Sequence, residues 1–458
     1  MLLALLAACA PDFTLSEPGV VIRGATVLPQ GDVRDVVVAG DHIAALLEPG
    51  AELDGEVEEI DGADRFLTPG LVDLHVHVWS EGDLSVYLAN GVTTIRNLSG
   101  DTWHLSIRDD LVAGRRAGPT LITSGPIIDG PEGFLTSREV VRDAEEAALV
   151  ADLQVQMTFA ALKVYDGVPA EAWQALIDAG AQAGVPVVGH IPDEVGYLEA
   201  IQGGQRTVEH LDDVLAAAAG MEPFPLMDDP HRTAALEAMT EERIAGVAEA
   251  TAATGAWSVP TLVVMQSYAT ADTWDSNDPR LAYMSPVTRA SWFQSAENLS
   301  PSVPVAMTDV LQFGQDVVAA LRGADAPLAV GTDAGNPWVF HGYAVHDELD
   351  LLVESGLTPA EALDAATLQA ARALGQEEVF GQIAVGQRAD LLLVNADPRL
   401  DTAALQDRVG VMARGQWYDQ GDLDALLAEV AWGYQSRGLA PARPATSCAD
   451  HWEGRGGL

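Results

Sequence analysis

The chain has 458 residues, of which 48% are hydrophobic and 20% are charged. This balance is typical of a globular protein with a large core and excludes an intrinsically disordered one. The formal net charge at pH 7 is −44. Such an acidic surface repels phosphate backbones and anionic headgroups, so we expect no nucleic-acid partner and no docking on an anionic lipid surface.

The chain contains two cysteines, Cys9 and Cys448, which exclude a disulfide framework and a cysteine zinc cluster. Cys9 ends an apolar run that is too short to span a bilayer. The segment Leu6–Cys9 resembles the lipobox of bacterial lipoproteins, but the usual positive n-region is absent. We predict that residues 1–17 are a lipoprotein-type signal and tether lipidated at Cys9, with a plain hydrophobic leader as the alternative. The predicted location is the cell envelope, lipid-anchored, periplasmic or secreted.

Short apolar runs with the composition of β-strands lie near both ends of the chain. In the first flank, Gly and Asp separate them between Val20 and Asp61, as in an antiparallel sheet. Similar runs return between Gly381 and Met412. We predict that residues 18–64 and 378–420 form one small β-sandwich domain, and that residues 421–458 are a C-terminal helical extension and tail.

The central segment alternates apolar strand candidates with helical stretches, which is the pattern of parallel βαβ units. Eight such strands predict an α/β fold with a (β/α)₈ TIM barrel over residues 65–377, whose active site lies at the carboxyl ends of the strands. The strand candidates are Leu71–Val78, Thr93–Leu98, Thr120–Ser124, Ala161–Tyr165, Pro186–His190, Thr207–His210, Trp257–Val264 and Pro327–Thr332.

Two histidines, His75 and His77, lie at the end of the first strand candidate. Alternate residues of a strand point to the same face, so both imidazoles can reach one point inside the barrel mouth. Taken alone, the pair is also compatible with two buried histidines that have ordinary hydrogen-bond partners.

The single lysine among 24 basic residues is Lys163, in the fourth strand candidate. A lysine inside an apolar strand is costly unless it is neutral or paired. Unlike arginine, its amine has a movable pKa, and the neutral amine can add carbon dioxide. The resulting carbamate can bridge two cations. The alternative is a surface lysine whose stem packs on apolar neighbours.

The fifth, sixth and eighth strand candidates lead to His190, His210 and Asp333. Singly, either histidine could be structural, and the aspartate could be a helix N-cap. Together they complete a ring of candidate ligands at the strand ends, whose other members are His75, His77 and Lys163. Imidazole and carboxylate suit Zn²⁺, and this ligand set fits two ions ~3.5–4 Å apart.

Motifs at both ends of the barrel segment resemble the amidohydrolase superfamily. Thr68–His77 is similar to its opening motif, and Gly381–Leu391 is similar to its closing β-domain signature. Gly91–Asn97 and the lysine on strand four resemble the imidazolonepropionase-related branch that includes metal-dependent prolidases. The resemblance covers residues 20–420. At Asn97 the relatives commonly carry Asp, so a contact behind the metal ligands is expected to differ.

This resemblance implies a binuclear metal centre with zinc as the expected metal. One ion would be held by His75, His77 and Asp333, and the other by His190 and His210, with carboxylated Lys163 between them. A metal-bridging hydroxide would attack the scissile carbonyl, and Asp333 would transfer the proton to the leaving nitrogen.

The implied activity is hydrolysis of a C–N bond in a small amide, such as an Xaa-Pro dipeptide, an N-acyl amino acid or a lactam. An esterase or lactonase is an alternative, because the same hydroxide attacks esters. A mononuclear deaminase is another, although one metal ion needs no bridging carbamate. A non-catalytic binding protein on this fold is a further alternative, because fold alone does not fix function.

Three residues near the strand ends are candidates for binding substrate. Tyr165 shares a strand face with Lys163, and a tyrosine in prolidase-like relatives resembles a binder of the substrate carboxylate; an aromatic wall is the alternative. His341 and His346 follow strand eight, with substrate contact or packing as their roles. His104 lies at no strand end and is expected at the surface. A homo-oligomer is compatible with the sequence.

Overall fold

The computed structural model describes residues 11–133, 137–224 and 229–436. The predicted lipidation site Cys9 and the second cysteine, Cys448, lie outside these ranges, as do most of the predicted tether and the tail after residue 436. Among the described residues, no helix is both long and apolar enough to cross a membrane.

The N-terminal flank consists of seven strands. Valines and isoleucines dominate the longest of them, and these β-branched side chains favour the extended backbone. The strands are β1 (Phe13–Thr14), β2 (Gly19–Val27), β3 (Asp32–Ala39), β4 (His42–Leu47), β5 (Leu53–Asp54), β6 (Val57–Asp61) and β7 (Phe66–Pro69).

The central segment alternates short buried strands with helices. Its first part contains β8 (Leu71–Val76), α1 (Glu81–Ala89), β9 (Val92–Asn97), α2 (Thr102–Val112), β10 (Thr120–Thr123), β11 (Ile127–Asp129), β12 (Arg138–Val140) and α3 (Ala144–Gln156). It continues with β13 (Leu162–Val164), α4 (Ala170–Ala183), β14 (Val187–Gly189), α5 (Tyr197–Gly203), β15 (Thr207–Glu209), α6 (Asp212–Ala219), α7 (Asp229–Glu237), α8 (Glu241–Thr254) and β16 (Trp257–Val259).

The remaining elements are mainly helical until the chain returns to the flank. They are α9 (Leu262–Ala269), two 3₁₀ turns (Ala271–Thr273 and Pro279–Tyr283), α10 (Pro286–Asn298), α11 (Val303–Gly323), α12 (Ala344–Glu354), α13 (Pro359–Ala365), α14 (Leu368–Ala373), β17 (Leu391–Val394), a 3₁₀ turn (Thr402–Gln406), β18 (Arg408–Ala413), β19 (Gln416–Asp419) and α15 (Gln420–Ser436).

Helix ends follow from local side-chain chemistry. The side chain of Asp143 accepts the backbone N–H of Glu146 at the start of α3, and Thr240 does the same for Arg243 at the start of α8. Each interaction satisfies one of the free N–H groups of a first turn. Helix α8 ends at Gly255 in the left-handed conformation (φ 72°), which glycine adopts without steric cost.

Both flanks contribute strands to one mixed sheet of eight strands. Its order is β19-β18-β17-β7-β2-β3-β4, and β6 pairs in parallel with β2. Strand β17 from the C-terminal flank pairs antiparallel with β7, which immediately precedes the central segment. The flanks therefore meet in this eight-stranded sheet, while β1 and β5 pair in parallel as a separate two-stranded sheet. A sandwich built from the two flanks stays a prediction.

The central strands are parallel and form two sheets, one in the order β8-β9-β10 and one in the order β12-β11-β13-β14-β15-β16. Backbone hydrogen bonds link their edges, from Ala160 N–H to Thr123 O (2.8 Å) and from Leu74 N–H to Val330 O (3.0 Å). Among the described residues, the parallel strands pair as two separate sheets and do not form the closed eight-stranded barrel that the sequence predicts. The chain therefore has a mixed α/β fold in which the carboxyl ends of the parallel strands share one side.

Two strand candidates differ in the structure. The eighth, Pro327–Thr332, forms one isolated bridge, at Leu328, instead of a strand, and a second bridge follows it at Ala334. The seventh is a strand only to Val259, and α9 begins at Leu262. The reason is the buried Glu348 carboxylate, which accepts the N–H groups of Leu262 and Val263 and so starts a helix inside an apolar run.

Candidate metal centre

The two histidines of the first strand point to the same place. Every residue from Leu71 to Val78 is buried, as expected for a parallel strand covered on both faces. The Nε2 atom of His77 lies 2.8 Å from Asp333 Oδ1, and the Nε2 atom of His75 lies 3.4 Å from the same oxygen. The alternation predicted from the sequence thus brings both imidazoles to one carboxylate.

Asp333 is fixed by contacts between strand β8 and the chain that follows α11. The buried carboxylate of Asp73 accepts the N–H (3.0 Å) and the hydroxyl (2.6 Å) of Thr332. The N–H of Asp333 donates to His75 O at 2.7 Å. Its backbone is left-handed (φ 54°), an uncommon conformation for aspartate that turns the chain sharply at this point.

His190 and His210 end their strands and complete the group. The His210 ring centroid lies 4.8 Å from that of His75 and 4.8 Å from that of His190. Nδ1 of His190 pairs with Asp166 Oδ1 at 2.8 Å, and Nδ1 of His210 pairs with Thr261 Oγ1 at 2.7 Å. Each pairing fixes one ring nitrogen and orients the other, which is how metal-binding histidines are held.

The convergence has the geometry of a metal site. One ligand atom each from His75, His210 and Asp333 lies within 4.8 Å of the others, and all three residues are buried. Lys163 is 1% exposed, and its Nζ has no hydrogen-bond partner among the described residues. A buried unpartnered amine beside imidazoles and a carboxylate fits a centre in which metal ions and a carbamate supply the missing partners.

The electrostatics favour metal-binding protonation states. Burial lowers the pKa values of His75 and His210 well below their usual range, which favours the neutral form of both imidazoles. Burial alone would raise the pKa of Asp333, but the neighbouring histidines, His75 first, hold it below its ordinary value. Burial also lowers the pKa of Lys163 against the opposing charge of Glu209. Neutral imidazoles and an ionised carboxylate are the forms that bind cations.

Sequence reasoning missed a buried charge behind the ligands. Glu209 Oε2 lies 3.2 Å from Nδ1 of His75, and Glu209 Oε1 accepts from Arg96 Nη2 at 2.7 Å. Arg96 also donates to Leu74 O at 2.6 Å, so its guanidinium connects strands β8, β9 and β15. The available signal was Glu209 itself, a carboxylate in an apolar strand immediately before His210.

The segment between β16 and α11 holds the loop that carries Asp333. The indole Nε1 of the fully buried Trp292 donates to Gly335 O at 2.9 Å, and Ser267 Oγ donates to Pro337 O at 2.6 Å. Thr261, the partner of His210, lies at the start of the same segment. These contacts make the segment a support for two of the candidate ligands.

The predicted substrate-binding residues separate in space. The Tyr165 ring packs at 4.1 Å from that of His190, so it lies beside the centre. His341 is buried, with Nε2 2.9 Å from His77 O and Nδ1 3.4 Å from Met284 Sδ. Its contacts place it behind the ligands.

His346 lies away from the centre. Its Nε2 lies 3.0 Å from Asn90 O at the end of α1, and burial lowers its pKa to about 3. These contacts favour the packing alternative over substrate binding. His104, expected at the surface, is instead buried, with Nε2 3.0 Å from Val78 O and Nδ1 accepting the Asp101 N–H. It closes the first turn of α2, a capping role that its position after Asp101 could have suggested.

Comparison with known proteins agrees with this arrangement. The family model described as "Amidohydrolase family" matches residues 66–418. The chain belongs to the amidohydrolase family. The superfamily expected from the opening and closing motifs is therefore confirmed.

Relatives of this amidohydrolase carry several names. An uncharacterized protein of Mycobacterium tuberculosis is 26% identical over 399 residues, covering 80% of this chain and 90% of the relative. Imidazolonepropionase of Aeromonas hydrophila is 43% identical over 79 residues, which is 17% of this chain and 19% of that enzyme. The family is thus shared with enzymes of different named activities.

Solved structures extend the similarity over the whole fold. A bottromycin amidohydrolase structure is 27% identical, covers 93% of each chain and has a TM-score of 0.74. A putative prolidase from Bifidobacterium longum is 24% identical, covers 90% of this chain and 98% of that one, and has a TM-score of 0.66. At this identity the prolidase shows a shared fold.

Proposed function

We propose that this amidohydrolase is a metal-dependent enzyme that hydrolyses a C–N bond in a small amide, such as an Xaa-Pro dipeptide, an N-acyl amino acid or a lactam. The observation that carries the proposal is the buried convergence of His75, His210 and Asp333 within 4.8 Å. Hydrolysis needs an activated water and a proton carrier, and a metal centre with an adjacent carboxylate can supply both.

The residues present fit two divalent ions, with zinc as the proposed metal. His75, His77 and Asp333 would hold one ion, and His190 and His210 the other, with Lys163 as a carbamate between them. Bound ions would supply a Lewis acid for the carbonyl oxygen and lower the pKa of water to ~7. The buried unpartnered Lys163 Nζ supports a binuclear centre over a mononuclear deaminase site.

Asp333 is the proposed proton carrier. Its carboxylate lies at the meeting point of His75, His77 and His210, and its pKa is held below the ordinary value by these neighbours. An ionised carboxylate at this point can accept the proton of the attacking water and deliver it to the leaving nitrogen. Tyr165, packed on His190, is placed to contact the part of the substrate beside the second ion.

The known relatives support amide chemistry without choosing the substrate. Similar folds include the bottromycin amidohydrolase and a Xaa-Pro dipeptidase with bound methionine, the latter 20% identical with a TM-score of 0.64. Adenine deaminase and dihydroorotase are also among the relatives, at 26% and 28% identity over parts of the chain. The proposed place of the enzyme is the cell envelope, on the lipobox-like segment before Cys9.

The test is a hydrolysis screen of zinc-reconstituted protein, with bicarbonate present, against dipeptides, N-acyl amino acids, lactams and lactones. Lys163→Ala is the matched inactive control. Turnover of amides by the wild type, abolished in Lys163→Ala, is the expected result. Turnover of lactones alone would replace the proposal with esterase chemistry, and equal turnover in both proteins would contradict the metal centre as the source of activity.

A further inference from the structure

A cavity of about 890 Å³ lies outside the ring of candidate ligands. It is enclosed by the start of α1, the chain between α2 and β10, the start of α10 and the second half of α15. Its volume is in the range of pockets that bind small molecules. No residue assigned above to metal binding or proton transfer lines it.

One side chain is shared between this cavity and the metal centre. Trp79 lines the cavity, and its indole stacks on the His77 imidazole, with ring centroids 5.3 Å apart and planes within 10° of parallel. A Cβ added at Gly335 would lie 2.7 Å from Trp79 Nε1 and 3.5 Å from His77 Cβ, so the chain at Gly335 passes close to both side chains. The indole of Trp79 is therefore part of the cavity lining and also contacts a candidate metal ligand.

The lining has an apolar wall and a charged rim. Ala117, Pro286, Val287, Leu426 and Val430 supply the apolar wall beside Trp79. The rim carries Glu81, Glu429 and two arginines, of which Arg116 pairs with Glu81 at 2.8 Å and Arg115 with Asp110 at 2.7 Å. An apolar wall whose rim arginines are already paired with carboxylates suits an uncharged, apolar group and disfavours an anion.

We propose that this cavity binds an extended apolar chain of the amide substrate, such as the acyl chain of an N-acyl amino acid. The inference rests on the proposed amide hydrolysis, because it assigns one part of that substrate to the cavity. Because Trp79 lines the cavity and contacts His77, a flexible acyl chain that leaves the metal centre would reach the cavity along its indole. Each methylene buried in the cavity tightens binding about fourfold.

Gly433 provides a mild way to fill the cavity. It lines the cavity within α15, and a Cβ added there meets no heavy atom within 4 Å. Gly433→Leu therefore projects a side chain into open space and removes a glycine from a helix interior, so folding is preserved. Gly246→Leu in α8 is the matched control, since Gly246 is also a helix glycine with open space and lies outside the cavity.

The experiment compares N-decanoylglycine with N-acetylglycine. With zinc-loaded protein, Gly433→Leu is expected to raise KM for N-decanoylglycine roughly tenfold, since the leucine displaces about two methylenes, with kcat retained. KM for N-acetylglycine stays unchanged, and Gly246→Leu matches the wild type for both. Calorimetric titration of metal-free protein with N-decanoylglycine gives a second readout that needs no turnover, with the same tenfold weakening of Kd.

The outcomes separate this inference from the proposed function. If the wild type hydrolyses neither compound while Kd still responds to Gly433→Leu, hydrolysis of N-acyl amino acids is wrong and binding of the chain in the cavity is supported. The inference is overturned if N-decanoylglycine binds Gly433→Leu as tightly as the wild type. It is also overturned if N-decanoylglycine binds without competing with N-acetylglycine, because that would make the cavity an effector site.

Discussion

Two regions of the molecule contain buried histidines, and the hydrogen-bond partners of the imidazoles differ between them. At the strand ends, His190 and His210 direct Nδ1 to a carboxylate and a hydroxyl and keep the rest of the ring toward the centre. Between the helices and the strands, His341 and His346 direct Nε2 to backbone carbonyls of His77 and Asn90.

The difference teaches that burial does not identify a metal-binding histidine. Both groups are almost fully buried and both have hydrogen-bond partners. What distinguishes the first group is that its two rings meet each other and that His210 also meets His75 and Asp333, while carboxylate and hydroxyl partners behind the rings set the tautomer. A histidine bonded to a lone backbone carbonyl connects two elements of the fold.

The largest effect that would test this comparison is expected at Asp333. Asp333→Asn retains the shape but cannot accept a proton, so kcat is expected to fall by ~10²–10⁴-fold. Zinc content, measured by mass spectrometry of the metal, falls only in part because the histidines remain. Asp325→Asn, at an exposed aspartate with a similar left-handed backbone (φ 53°), is the control and keeps full turnover. Near-normal kcat in Asp333→Asn would refute the proton role.

A second test addresses the partners behind the ligands. Asp166→Asn replaces the carboxylate that lies 2.8 Å from His190 Nδ1 and is expected to weaken zinc binding ~10–100-fold, as measured by competition with a chelator. His346→Gln is the matched control from the other region, and its zinc affinity stays at the wild-type value. Equal losses in both variants would mean that the two groups of histidines do not differ in function.

A smaller effect is expected where the segment before α11 supports the Asp333 loop. Trp292→Phe keeps the apolar contact but loses the bond to Gly335 O, which costs about 1–2 kcal/mol of unfolding free energy. Loss of this bond is expected to displace the loop that carries Asp333, which lowers kcat by roughly three- to tenfold and leaves KM unchanged. Tyr197→Phe, which loses the buried hydrogen bond to Thr251 Oγ1 (2.7 Å) between α5 and α8, is the control that loses stability and keeps kcat. Identical kcat values would make Trp292 purely structural.

The last effect concerns the packing region, leaves turnover unchanged and appears only in stability. Burial lowers the pKa of His346 from 6.5 to about 3. Between these values the unfolded chain binds a proton that the folded chain does not, so stability falls as the pH drops below 6.5, by ~1.4 kcal/mol per pH unit for this group. His346→Leu removes this contribution, and urea unfolding from pH 7 to 4 should show a shallower loss. An unchanged slope would contradict the burial of a neutral imidazole.

The structure brings predicted candidate ligands together, whereas it departs from the sequence prediction in the elements around them. His75, His77 and Asp333 could be identified because strand alternation and strand-end position are local properties of the chain. Glu348, which starts α9 inside an apolar run, could not, because it lies 86 residues from Leu262. The same limit applied to Trp292 and to the sheet formed by the two flanks, since both depend on contacts between distant segments.

Metal content per chain tests the central claim most directly. Zinc-reconstituted wild-type protein and His346→Leu are expected to hold about two ions per chain, in keeping with a binuclear centre, and His210→Ala at most one. The ratio is measured by mass spectrometry of the metal after exhaustive dialysis. A wild-type protein that retains no metal, or a His210→Ala variant that retains as much as the wild type, would contradict the account.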